Sequence, residues 1–188
     1  MSADPVVIVA AARTPMGGLL GDLAGFSASD LGAAAVKAAA LQAQLPADGA
    51  DWIVMGNVLG AGQGQAPARQ AALKAGLAQS TEATTLNKMC GSGMQAAIMG
   101  RNAILSGEAS VVIAGGMESM TNAPFLMAKH RTGQKYGHDR LYDHMALDGL
   151  EDAYEGKAMG VYADMAAGAH QLSREAQDAY ALETLARA

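Results

Sequence analysis

The sequence predicts an α/β fold built on a mainly parallel sheet, and three observations carry that prediction. Short apolar runs alternate with helical segments of ten or more residues from Val6 to Gly116, in the order βαβαβαβ. Helical crossovers of that kind join parallel strands. Hydrophobic residues make up 51% of the 188 and charged ones 16%, a balance that supports a buried core and excludes a disordered chain. Finally, 42 Ala and 23 Gly against only 4% aromatics require helices and strands to approach closely, with the 12 Met filling gaps.

Each element follows from its residues. Val6–Ala12 is a continuous apolar run with β-branched residues, the pattern of a buried strand, and Arg13-Thr14-Pro15 ends it. After a Gly-rich loop, Ser29 or Asp30 is placed to cap a helix over Leu31–Leu45, which Pro46 terminates. Trp52–Met55 reads as a strand, and the loop Gly56–Gln65 carries Gly at 56, 60, 62 and 64. Pro67 suits the first turn of a helix from Ala66 to Leu77. Thr81–Leu86 is a β-branched strand, and Met94–Leu105 is a helix with Met94, Ala97, Ile98, Ile104 and Leu105 at helical spacing. Val111–Ala114 returns as a strand into Gly115-Gly116. From 117 to 160 the pattern changes: charge, Met and three of the four His concentrate there with no evident strand. Ser173 then caps a last helix through Ala188.

Composition also bounds function. The 13 Lys+Arg against 18 Asp+Glu give a net charge of −5, which disfavours nucleic-acid binding. One Cys excludes an internal disulfide and a Cys-rich zinc site. No apolar stretch reaches bilayer length, and Met1-Ser2-Ala3-Asp4-Pro5 lacks a basic signal region, so a cytoplasmic protein off the membrane is expected.

The strongest chemical signal is Asn87-Lys88-Met89-Cys90-Gly91-Ser92-Gly93-Met94, which puts the lone cysteine where a strand passes into a helix. The N–H groups and macrodipole of a helix start favour the negative charge of a thiolate and can hold an oxyanion on an acyl group bonded to sulfur. Gly91 and Gly93 let a substrate approach the backbone, so the pattern suits acyl transfer through a Cys90 thioester. The residues leave two other readings open. A lone Cys is often inert core. Gly91-Ser92-Gly93-Met94-Gln95-Ala96 also fits a dinucleotide fingerprint, with Glu118 as its ribose acid. The Gly60–Gln65 loop lacks the Lys and Ser/Thr of a phosphate loop and reads as a flexible turn. His130, His138 and His144 match no metal spacing, and a solvated loop is expected there. Met94 and Met99 are expected in the core; Met117, Met120 and Met127 line either the core or an apolar tunnel.

Four blocks resemble the thiolase family in order and spacing. They are Arg13-Thr14-Pro15-Met16-Gly17, the run from Gly56 to Gln70, the Cys90 segment, and the run from Gly115 to Pro124. The resemblance covers the whole chain and runs closest to the acetyl-CoA acetyltransferases. It implies a thiolase-like fold, with a mixed, mainly parallel sheet between helices on both faces and part of an inserted loop domain. Residues 1–117 then form the N-terminal domain, lacking its last strand, and 118–188 begin the loop domain. Cys90 becomes the nucleophile, its N–H in an oxyanion hole, and Leu150 and Met159 become contacts to the pantetheine of coenzyme A. Many family members carry His before that Met, where this chain has Ala158. The resemblance also implies tetramers through the 129–144 loop and no permanently bound cofactor, CoA and acetyl-CoA being substrates. Family chains are about twice as long, and the second half carries the activating His, a second Cys and an Asn. A second chain supplying that half is therefore expected. A longer-chain degradative thiolase and a non-catalytic acyl-CoA-binding module are the alternatives.

Overall fold

A computed structural model describes residues 5–188; residues 1–4, read above for a signal region, lie outside them. The chain divides into two compact units, Met1–Met145 and Ala146–Ala188.

In the first unit, α1 (Ala28–Gln42), β1 (Trp52–Gly56), α2 (Pro67–Ala75), β2 (Glu82–Leu86), α3 (Ser92–Ser106) and β3 (Val112–Gly116) follow in order. The three strands form a parallel sheet in the order β2-β1-β3, with Val54 opposite both Thr84 and Ala114. Side chains alternate across β1, so each face meets its own helix layer. Ile53 and Met55 enter a core with Ala28 and Val36 of α1 and Ala68, Ala71 and Ala72 of α2. Val54 and Gly56 face the other way, toward α3. Small residues set how close that helix lies: Ser92, Ala96, Gly100 and Ala103 are its buried stripe. A Cβ on Gly100 would stand 2.9 Å from Val112 Cγ1. One on Gly56 would stand 2.5 Å from Ser92 Cβ and 3.1 Å from Gly93 N. The α3 N-terminus thus rests on bare backbone at the C-terminal edge of the sheet.

Several elements differ from the sequence reading. Val6–Ala12 is not a strand, and Val7, Ile8 and Val9 are exposed. Among the described residues no strand pairs with this run to make a ladder, and the outer edges of β2 and β3 likewise carry no paired strand. Helix α1 starts earlier than expected because Ser27, not Ser29 or Asp30, is the cap. The Ser27 hydroxyl accepts from Asp30 N–H, and the Asp30 carboxylate accepts from Ser27 N–H at 3.0 Å. This reciprocal box needs its acid three residues in, which fixes Ser27 as the cap. The helix stops at Gln42 because Gln44 turns left-handed (φ 52°). Met94 is exposed rather than core, as are Ile98 and Leu105, because the small stripe of α3 takes the sheet side. Two short strands, β4 (Phe125–Leu126) and β5 (Tyr142–Asp143), pair antiparallel where none was expected.

The second unit holds a π-helical turn (Ala146–Leu150), α4 (Met159–Ala169) and α5 (Arg174–Arg187). Ser173 caps α5 as expected, its hydroxyl accepting from Ala176 N–H. None of the residues 146–188 is buried; Val161, Met165, Leu182 and Leu185 stand exposed. Among the described residues no helix is long and apolar enough to cross a membrane.

Two outcomes follow from this packing. Gly56→Ala forces its methyl onto Ser92 and should lower stability by about 2 kcal/mol in urea unfolding. Asp30 bridges α1 to α2 through Lys74, whose ammonium lies 2.6 Å from its carboxylate. That hydrogen bond first, and then those from Ser27, hold its pKa down at about 2 against an ordinary 3.8. The tie is present above the ordinary value and is lost as pH falls toward 2. Lys74→Met should return the Asp30 titration, followed by NMR, toward the ordinary value.

Candidate functional site

The site is built where β2 runs out. Leu86 C=O accepts from Asn57 N–H at 3.0 Å, so the loops after β1 and β2 leave the sheet side by side. The chain then makes a tight turn. Met89 takes a left-handed conformation (φ 49°), a strain of about 1–2 kcal/mol for a residue with a Cβ. Hydrogen bonds hold it there. Asn87 Oδ1 accepts from Met89 N–H at 2.9 Å, and Lys88 C=O accepts from Gly91 N–H at 3.1 Å. The Ser92 hydroxyl accepts from Lys88 N–H at 2.9 Å and donates to Met89 C=O at 2.6 Å. Strain held by surrounding bonds is a common mark of functional turns.

Cys90 follows Met89 and is an exposed free cysteine. That removes the inert-core reading. It lies two residues before the first residue of α3, whose cap, Gly91, makes no side-chain hydrogen bond to the helix end. A nucleophile here reaches solvent beside helix-start N–H groups, which suits attack on an acyl group and stabilisation of the oxyanion formed. Lys88 Nζ donates to Gln95 Oε1 at 2.8 Å, which draws its charge along α3.

Glu118 does not stand as a ribose acid. Its carboxylate accepts from Asn57 Nδ2 at 2.7 Å, Val58 N–H at 2.8 Å and Leu59 N–H at 3.0 Å. It is thereby a clamp on the loop after β1. His144 is buried, not solvated, and its Nε2 accepts from Ala61 N–H at 3.3 Å. Gln70 Nε2 donates to Gln63 and Gln65 carbonyls, each at 2.8 Å. The Gly60–Gln65 loop, expected to be a flexible turn, is therefore tied at three backbone groups, Ala61 N–H and the Gln63 and Gln65 carbonyls, with Val58 and Leu59 N–H held just before it. A cavity of about 380 Å³ opens beside it, lined by Ser27, Asp30, Gln63 and Asn122 among others. No residue of 86–95 lines it.

The two expected pantetheine contacts lie in the second unit. Leu150 ends the π-helical turn and Met159 begins α4; both are exposed. An antiparallel bridge between Glu151 and Ala158 brings the residues that flank them together. Ser92, Asn57 and His144 were missed as parts of the site's framework. In sequence Ser92 is one small residue between two glycines, and His144 is one of several His in a charged stretch.

The chain is similar to proteins of known kind. The model of the family described as "Thiolase, N-terminal domain" matches residues 6–188. An acetyl-CoA acetyltransferase of Schizosaccharomyces pombe is 47% identical over 183 residues, 97% of this chain and 46% of its own length. One from Pseudomonas aeruginosa is 49% identical over 176 residues, 94% of this chain and 45% of its own. The cytosolic acetyl-CoA acetyltransferase ERG10 of Gibberella zeae is 45% identical over 184 residues, 98% of this chain and 46% of its own. The Acat5 thiolase from Ascaris suum, solved in complex with coenzyme A, superposes with a TM-score of 0.89 at 39% identity. That match covers 94% of this chain and 46% of the other. The chain thus spans about half the length of the curated relatives it matches.

Glu118→Ala removes the acceptor of three donors. It should cost about 2 kcal/mol in urea unfolding and accelerate amide exchange at Val58 and Leu59.

Proposed function

Since this chain belongs to the thiolase family, matching its N-terminal domain over residues 6–188, we propose that it is the nucleophile-bearing half of an acetyl-CoA acetyltransferase. The observation that carries this reading is the exposed Cys90 on a braced turn at the start of α3. The similar acetyl-CoA acetyltransferases support the choice of reaction over a longer-chain degradative one. Cys90 Sγ attacks the thioester carbonyl of acetyl-CoA. The bond to the carbonyl carbon forms, the CoA sulfur leaves and takes up a proton, and the Cys90 N–H donates to the transient oxyanion. A second acetyl-CoA, deprotonated at its methyl, attacks acetyl-Cys90. Acetoacetyl-CoA forms and the thiol is released. The same steps run backward as thiolysis.

Leu150 and Met159 contact the pantetheine arm in this reading, and CoA is a substrate, not a resident cofactor. That the Ascaris thiolase was solved with coenzyme A supports it. In this reading residues 1–117 are the family's first core domain, lacking its last strand, and 118–188 the first part of its loop domain. A second polypeptide segment, carrying the rest of the thiolase, supplies the base that activates Cys90 and the partner strand for the sheet. Half-length coverage of the relatives supports this. So do the exposed Val7, Ile8 and Val9, the exposed Met94, Ile98 and Leu105 of α3, and the absence of any buried residue over 146–188. The 129–144 loop is the tetramer contact, and a cytosolic location rests on the name of the Gibberella relative.

In the enzyme completed by its other half, Cys90→Ser should lower acetyl transfer by at least about 10³-fold while leaving CoA affinity within twofold. A variant that retains a tenth of the activity overturns the nucleophile assignment. CoA binding without acetyl transfer in the wild type makes the chain a binding module instead.

A further inference from the structure

Ser92 is buried, and its hydroxyl is engaged on both sides by the turn that carries Cys90: Lys88 N–H donates to it at 2.9 Å and it donates to Met89 C=O at 2.6 Å. Ser92 is also the first residue of α3, and its Cβ packs over Gly56. One side chain therefore joins three things. It is seated on the sheet through Gly56, it begins the helix, and it grips the two residues that precede Cys90. Met89 sits in a left-handed conformation that strains a residue with a Cβ, and one of the bonds that holds it there is the Ser92 hydroxyl's. Resting on the reading of Cys90 as the acylated nucleophile, we propose that Ser92 is a positioning residue: its hydroxyl fixes the Lys88–Met89 turn so that the Cys90 thiol and N–H stand in the geometry acylation needs.

Acylation requires sulfur and oxyanion donor to be placed together within a fraction of an ångström, and small misplacements cost orders of magnitude in rate. The Ser92 hydroxyl is buried and engaged by the turn itself, so its loss is expected to show in turnover and not in substrate affinity. Ser92→Ala keeps the volume of the site and removes only the hydroxyl.

The test is steady-state kinetics of the completed enzyme with acetyl-CoA, together with mass mapping of the acetyl group. The expected result for Ser92→Ala is a kcat about 10- to 100-fold lower with KM within twofold, in protein as fully folded as the wild type. A kcat within threefold of wild type overturns the proposal and leaves Cys90 as nucleophile. Equal losses in kcat and folded fraction also overturn it. Wild-type protein that acquires no acetyl group on Cys90 removes the reading on which the proposal rests, and the proposal with it. Should Ser92→Ala not fold, amide exchange in the wild-type chain decides. A Lys88 N–H slowed at least about 100-fold against an open loop supports the clamp; exchange at the open-loop rate contradicts it.

Discussion

The close approach of α3 to the sheet is the constraint from which the rest of this architecture follows. A helix that begins over Gly56, with Ser92 Cβ where a side chain on that glycine would lie, has no freedom to slide or rotate. The small stripe Ser92, Ala96, Gly100 and Ala103 continues the contact along its length, down to Gly100 over Val112. Because the helix start is fixed in this way, the few residues between β2 and α3 must turn sharply. The left-handed Met89 is how they do it, and the exposed Cys90 is what the turn presents. Bulkier residues at these positions would lift the helix and lengthen the turn. An Ala- and Gly-rich sequence with few aromatics is therefore part of how the thiol is placed.

A second set of bonds fixes the neighbouring loop. Glu118, two residues beyond β3, takes the Asn57 amide and two backbone N–H groups, and His144 takes a third N–H. Loops after three successive parallel strands are thus held at one edge of the sheet, the edge where ligands of such folds bind. The order is local and strong there, whereas the outward face of α3 and the whole of 146–188 lack burial. That contrast between a well-braced edge bearing Cys90 and uncovered apolar faces fits a chain half the length of its relatives.

Much of this was legible from sequence because it depends on local pattern. β1, β2 and β3 fall within a residue or two of their apolar runs, and the strand-to-helix position of Cys90 follows from the glycines around it. What escaped depends on partners distant in sequence. Val6–Ala12 has the composition of a strand, but a strand exists only with a ladder beside it. The periodicity of α3 shows two apolar stripes, one of small residues and one of Met94, Ile98 and Leu105, and only the Val112 and Gly56 contacts decide which faces the sheet. Glu118 read as a candidate ribose acid because spacing alone cannot show that its carboxylate is already occupied. The double bonding of Ser92 is invisible in a Gly-Ser-Gly run.

Whether Cys90 carries the acyl group is read most directly by mass mapping of the completed enzyme after brief exposure to acetoacetyl-CoA. The expected result is one acetyl group, on the peptide that contains Cys90, which disappears when free CoA is added. No adduct, or an adduct confined to another residue, contradicts it.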